Sequence, residues 1–188
     1  MKLLVVGGSS DIGLEIIKKR VEIGDEVFFT CSSDKSLEKT NHILQEENIN
    51  AVGIIYNFRN YQQDLDNVLK VVGEDCEGVI LNAATRNTAL KRLHELDEKF
   101  LIDSLQDNIF GNLFLIKALL PSMIKNNFGR IIFISSISVD CGTSKYPAYV
   151  MQKSALEQLI KNIAVDYGEH NILANTLRLG LFKTQRTR

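Results

Sequence analysis

Cysteine is scarce in this chain: three among 188 residues, Cys31, Cys76 and Cys141. An odd, scattered set without CxxC spacing argues against a disulfide framework and against a zinc site, and no metal is expected. Charge of one sign is not in excess either. The formal net charge is −1, which gives no electrostatic reason to expect nucleic acid or an anionic membrane as partner. Long apolar runs are also missing. The N-terminal stretch Leu3-Leu4-Val5-Val6 ends at Gly7, too short for a signal peptide or a membrane span. The reading is a chain that begins directly with structure and works in the cytoplasm. Proline is rare, with Pro121 inside a long helical pattern and Pro147 just before another. Repeats, low-complexity segments and linkers are absent, so residues 1–188 read as one domain large enough for a sizeable core.

What is present is ordinary globular composition, 45% hydrophobic and 24% charged, laid out as strands alternating with helices. Short β-rich runs occur at Leu3–Val6, Val27–Thr30, Val52–Ile55, Gly78–Leu81, Ile131–Ser135 and Ile172–Leu177. Between them, Ile12–Ile23, Ser36–Glu47, Gln62–Gly73, Asp97–Lys125 and Tyr149–Tyr167 have helical length and period. Several of the runs are continuously apolar, as strands are when helices cover both faces of a sheet. The expectation is an α/β fold, a Rossmann-type doubly wound parallel sheet of about six strands. Ligands bind such sheets beyond the carboxyl ends of the strands. The informative residues should therefore follow positions 6, 30, 55, 81, 135 and 177.

The first of these junctions is glycine-rich: Val6-Gly7-Gly8-Ser9-Ser10-Asp11-Ile12-Gly13. Gly7 permits a tight turn and Gly13 lets the helix pack closely on the sheet. Amides at the helix start, over Ser9, Ser10, Asp11 and Ile12, then cradle a pyrophosphate. The same letters also describe a plain strand-to-helix turn. Asp11 is a candidate helix cap. After the second run comes Thr30-Cys31-Ser32-Ser33-Asp34-Lys35. An acid at this strand end binds the ribose hydroxyls in NAD-preferring proteins. Here Cys31 is neutral, Ser32 and Ser33 offer donors to a 2′-phosphate, and Lys35 is near. The cofactor favoured is NADP(H), ahead of NAD(H). The alternative is a polar turn that touches no cofactor.

Tyr149 and Lys153 stand four apart on one helical face. A free tyrosine, with a pKa near ~10, is a poor acid-base catalyst at neutral pH. A lysine ammonium alongside favours the phenolate.

Taken in order, these residues resemble the short-chain dehydrogenase/reductase family. In its TGxxxGxG loop, Gly7 and Gly13 match, Val6 replaces the threonine and Asp11 the middle glycine. Tyr149 and Lys153 match its YxxxK pair. Ser136 lies thirteen residues earlier, the family spacing to the serine that hydrogen-bonds the substrate oxygen. Asn108, in Asn108-Ile109-Phe110-Gly111, matches the N-x-x-G helix motif that supports a proton path to the lysine. Asn82-Ala83-Ala84 matches the NNAG strand end. Asn57-Phe58 stands where the family sets a pair against adenine, with a buried loop residue as the other reading of Phe58. Gly180 and Thr184 stand where it contacts the nicotinamide. The resemblance implies hydride transfer between a nicotinamide cofactor and a carbonyl compound or secondary alcohol.

Within the family, Asn82-Ala83-Ala84-Thr85-Arg86-Asn87, Gly129-Arg130-Ile131-Ile132 and the ending Lys183–Arg188 look most like 3-oxoacyl-[acyl-carrier-protein] reductase. Asn127 and Val165 replace basic carrier-docking residues, so free ketones, sugars and other thioesters remain open as substrates. Family members continue past the point matching Arg188 with a helical lid and a last strand. A chain ending at Arg188 would lack both, which leaves a second reading: a nucleotide-binding module with little turnover. The resemblance further implies a homodimer through the long helices, along Phe110, Phe114, Lys117, Ala118 and Pro121 on one and Ala155, Gln158, Leu159 and Asn162 on the other.

Overall fold

A computed structural model describes residues 1–84 and 90–181. Six strands form one sheet: β1 (Lys2–Val6), β2 (Glu26–Cys31), β3 (Val52–Ile55), β4 (Gly78–Leu81), β5 (Gly129–Ser136) and β6 (Ile172–Leu179). The helices are α1 (Asp11–Glu22), α2 (Asp34–Glu46), α3 (Tyr61–Val72), α4 (Glu98–Lys125), the four-residue α5 (Ser138–Cys141) and α6 (Pro147–Asp166). The strand order is β3-β2-β1-β4-β5-β6 and every pairing is parallel. The expected doubly wound sheet is what forms.

Alternation along β1 explains the two layers. Leu4 and Val6 point into a core shared with Val68 of α3, Leu115 of α4 and Leu156 of α6. Leu3 and Val5 point the other way, against Ile17 of α1 and Leu44 of α2. Full burial of a Phe such as Phe29 or Phe133, each 0% exposed, contributes about 1.5–3 kcal/mol. The chain changes sides between β1 and β4, so their carboxyl ends flank the crevice where such sheets bind ligands.

Two boundaries differ instructively from the sequence expectation. α6 begins at Pro147 rather than Tyr149, because a proline with fixed φ and no N–H suits the first helical position. β6 runs on to Leu179, paired in register with Ser136. Among the described residues β6 is an edge strand. Ile132, Leu173 and Leu177, on the sheet face away from α6, are 37%, 49% and 53% exposed. No helix among the described residues is long and apolar enough to cross a membrane.

Candidate active site

A cleft of about 530 Å³ opens at the carboxyl ends of the strands, running from the β1–α1 loop to the start of α6. Ser9, Ser10, Asp11 and Ile12 line one end; Ser136, Tyr149 and Lys153 line the other.

The glycine loop is tightly held. Gly7 has φ +84°, and a Cβ there would come within 2.8 Å of Ala83. A Cβ on Gly13 would land on the carbonyl oxygen of Gly7. The Ser10 hydroxyl donates to that carbonyl at 3.0 Å and accepts from the Gly13 amide at 3.0 Å. Ser10 is therefore the cap of α1; Asp11, expected as the cap, is instead its first helical residue. From β4, the Asn82 amide donates to Gly7 O at 3.0 Å and to Ser10 Oγ at 2.9 Å. Asn82 thus fixes the loop from across the crevice, while Ala84 lines the cleft and Ala83 packs behind Gly7.

The β2–α2 junction is built differently from the expectation. Cys31 is 1% exposed, with Sγ 3.8 Å from Thr40 Oγ1. Its side chain lies under α2 and does not line the cleft, and that burial pushes the thiol up. Ser33 is spent on a capping box with Ser36. The Ser32 carbonyl accepts from the Asn57 amide at 3.2 Å. What lines the cleft is one face of α2, Ser36, Lys39, Thr40 and Ile43. Lys39 is exposed and has no ion pair among the described residues. The 3,4 spacing of these four was the available signal. Phe58 is 5% exposed, edge-on to Tyr56 at 5.7 Å and against the Cα of Gly111. Its ring belongs to the core and does not line the cleft, in line with the buried-loop reading.

At the far end, β5 delivers Ser136. Its hydroxyl donates to Ser138 Oγ at 3.0 Å and accepts from the Ser138 amide at 3.2 Å. The Thr143 hydroxyl donates in turn to Ser138 Oγ at 2.7 Å. On α6, Tyr149 stacks edge-on with Tyr146 at 6.1 Å, and both line the cleft. Lys153 is buried, donating to the Ile134 carbonyl at 2.7 Å. Its ammonium lies 4.7 Å from the Phe133 ring centroid and 5.8 Å from that of Tyr149. Ser136, Tyr149 and Lys153 are brought together as the sequence predicts.

Asn108 lies behind them, buried where α4 meets α6. Its side chain donates to Ser104 O at 2.8 Å, and its own carbonyl accepts from the Asn112 amide at 2.7 Å. Gln152, next to Lys153, donates to Ser104 O and Oγ at 2.9 and 2.7 Å. Gly180 forms part of the cleft wall. Thr184 and Thr85–Asn87 lie outside the described residues.

A further cluster was not expected. Arg178 on β6 donates to both Glu157 oxygens on α6, at 2.6–3.1 Å. It also reaches both Asp140 oxygens on α5, at 2.7 and 2.8 Å. The guanidinium holds the Glu157 carboxyl below the usual carboxylate range although burial pulls the other way.

Residues 2–188 match the family model for short chain dehydrogenase. The chain belongs to the short-chain dehydrogenase family. It is 28% identical over 185 residues to a fatty acyl-CoA reductase of Acinetobacter baylyi, covering 96% of this chain and 62% of that protein. The chain spans less than two thirds of the length of the first two curated relatives it matches, 62% and 65%. In fold it is similar to an actinorhodin polyketide ketoreductase with NADPH, at TM-score 0.88 and 23% identity over 98% of this chain and 71% of that one. An NAD+-bound xylitol dehydrogenase gives TM-score 0.85 at 24% identity, over 95% and 69%.

Proposed function

We propose that this protein is an oxidoreductase that interconverts a carbonyl compound and a secondary alcohol with a nicotinamide cofactor, NADP(H) ahead of NAD(H). One observation carries the reading: Ser136, Tyr149 and Lys153 meet at one end of a cleft whose other end is a glycine loop. Family members use nicotinamide cofactors, and the cradle fits one. The missing Cβ atoms of Gly7 and Gly13 let the loop pack tightly on Ala83 and on itself, and Gly8 through Ile12, at the start of α1, open onto the cleft.

The bound cofactor would supply or take the hydride. The chain's own residues handle the oxygen. Ser136 donates a hydrogen bond where negative charge develops. Tyr149 gives or takes the proton at that same oxygen, a contribution of about 10²–10⁴-fold in rate. Lys153, fixed by the Ile134 carbonyl, places positive charge beside the phenol. Asn108 supports Lys153 from the α4 side.

NADP(H) is favoured because no acid ends β2 and because Lys39 and Ser36 line the cleft beyond Ser9. A 2′-phosphate there would meet a cation instead of a carboxylate. The substrate is a small carbonyl compound, with a 3-oxoacyl thioester as the first to try. We further propose a homodimer through α4 and α6, whose outward residues Phe110 and Met151 are 41% and 46% exposed. Light scattering at twice the chain mass is the expected result; a monomer at all concentrations removes the dimer.

Oxidation of NADPH against a panel of ketones and 3-oxoacyl thioesters tests the main reading. Turnover of at least one compound is expected. Cofactor binding without turnover of any compound would replace it with a nucleotide-binding module.

A further inference from the structure

The Arg178 cluster joins parts of the cleft that the sequence keeps far apart. Tyr149, Lys153 and Glu157 follow one another at intervals of four along α6, so they share one helix face. Glu157 is 1% exposed. A carboxylate buried that deeply needs a cation, and Arg178 is the one that meets it among the described residues. On β6, Arg178 is paired with Ser135 and its neighbour Leu179 with Ser136. The same guanidinium extends Nη1 to Asp140. One planar fork thus holds the strand pair bearing Ser136, the helix bearing Tyr149 and Lys153, and the short α5.

Beside this bridge, α5 is held by the Thr143 hydroxyl on Ser138, by the Ile137 amide on the Leu179 carbonyl and by packing on α6. It has four residues, no side-chain cap and Gly142 at φ +70° behind it. Yet α5 carries Ser138, whose amide and hydroxyl both bond the Ser136 hydroxyl. The ion pair with Asp140 is solvent-exposed, and exposed pairs add little to stability. Its geometric reach is larger, because it ties the element that carries Ser138 to β6 and α6. Resting on the oxidoreductase reading above, we propose that Arg178 is a positioning residue. By bridging Glu157 and Asp140 it holds the Ser138–Ser136 hydroxyl pair in register with Tyr149 on α6. A lysine, as a point charge, meets one carboxylate at a time and does not reproduce the bridge.

The test uses the intact protein and the variants Asp140→Ala, Asp140→Glu and Arg178→Lys. Asp140→Ala removes the exposed arm and leaves Arg178 on Glu157. It should lower kcat on the order of tenfold, since small misplacements of reacting groups cost that much or more. KM and cofactor affinity should change less than about twofold, and the melting temperature should stay put. Asp140→Glu should restore most of kcat, and Arg178→Lys should behave like Asp140→Ala. Hydrogen–deuterium exchange should quicken over residues 137–142 in Asp140→Ala and Arg178→Lys, and not elsewhere. Unchanged kcat in Asp140→Ala, or loss of melting temperature with kcat intact, overturns the proposal. Should the unaltered protein turn over no carbonyl compound, the oxidoreductase reading has failed and exchange alone decides the tether. Unchanged exchange then overturns it, and faster exchange at 137–142 upholds it.

Discussion

The Lys153 ammonium stands 2.7 Å from the carbonyl oxygen of Ile134 and 5.8 Å from the centroid of the Tyr149 ring. β5 therefore fixes the charge, and α6 brings the phenol to it. The proposed acid-base pair belongs to a strand-helix contact, and neither residue lies on a loop.

Because the ring packs on Tyr146 and the proposed proton chemistry needs only the hydroxyl, Tyr149→Phe should separate catalysis from binding. Turnover should fall at least 10²-fold, the range for losing a positioned acid, while cofactor affinity stays within about twofold. Steady-state rates and fluorescence titration of NADPH check this. A Phe variant that keeps a comparable rate means Tyr149 is not the proton donor.

Gly13→Ala forces a methyl onto the Gly7 carbonyl. That carbonyl also receives Ser10 and Asn82, so relief must move the whole loop. Cofactor affinity should drop at least tenfold, a change of about 1.4 kcal/mol, with far-ultraviolet circular dichroism unchanged. Undiminished affinity would show that the loop does not cradle the cofactor.

Lys39→Gln tests the cofactor preference. The substitution removes the cleft-lining cation on α2 and preserves helix propensity. Affinity for NADPH should weaken severalfold and that for NADH should hardly move, so their ratio is the readout. Equal weakening of both, or of neither, removes Lys39 from recognition of the 2′-phosphate.

Glu157 supplies a pH dependence with a defined sign. Its folded-state carboxyl is held below the ordinary range by Arg178, with burial opposing. The resulting stability is fully present above the unfolded-state pKa, about 4.3, and is lost as pH falls through the lower folded value. Melting temperatures from neutral pH to about pH 3 should therefore fall more steeply for the unaltered protein than for Glu157→Gln. Parallel curves would mean that Glu157 makes no such contribution.

The sheet and most of the site were legible because they depend on local pattern. Continuous apolar runs at Val79–Leu81 and Val5–Val6 require cover on both faces, and a 149–153 interval requires a shared helix face. Phe58 stayed open between an adenine contact and a buried loop residue, because a loop aromatic is placed by what packs against it, here Gly111 of α4. Ser36 and Lys39 escaped notice because their role depends on how α2 is rolled toward α1. Asp140, Glu157 and Arg178 are separated by 17 and 21 positions, and only the packing of α5 and α6 beside β6 brings them together. Asp11 and Ser10 are both good caps, so only the hydrogen bond to the Gly13 amide tells them apart.

Among the described residues, the outer side of β6 is a row of backbone donors and acceptors without a strand partner, bordered by the exposed Leu173 and Leu177. Wherever such a row stays uncovered, a second molecule can add its own strand to it. Pairing of that kind takes two molecules, so its rate would rise with the square of concentration, and dilution would slow it more than cooling, which weakens apolar attraction but leaves the hydrogen-bonding groups available.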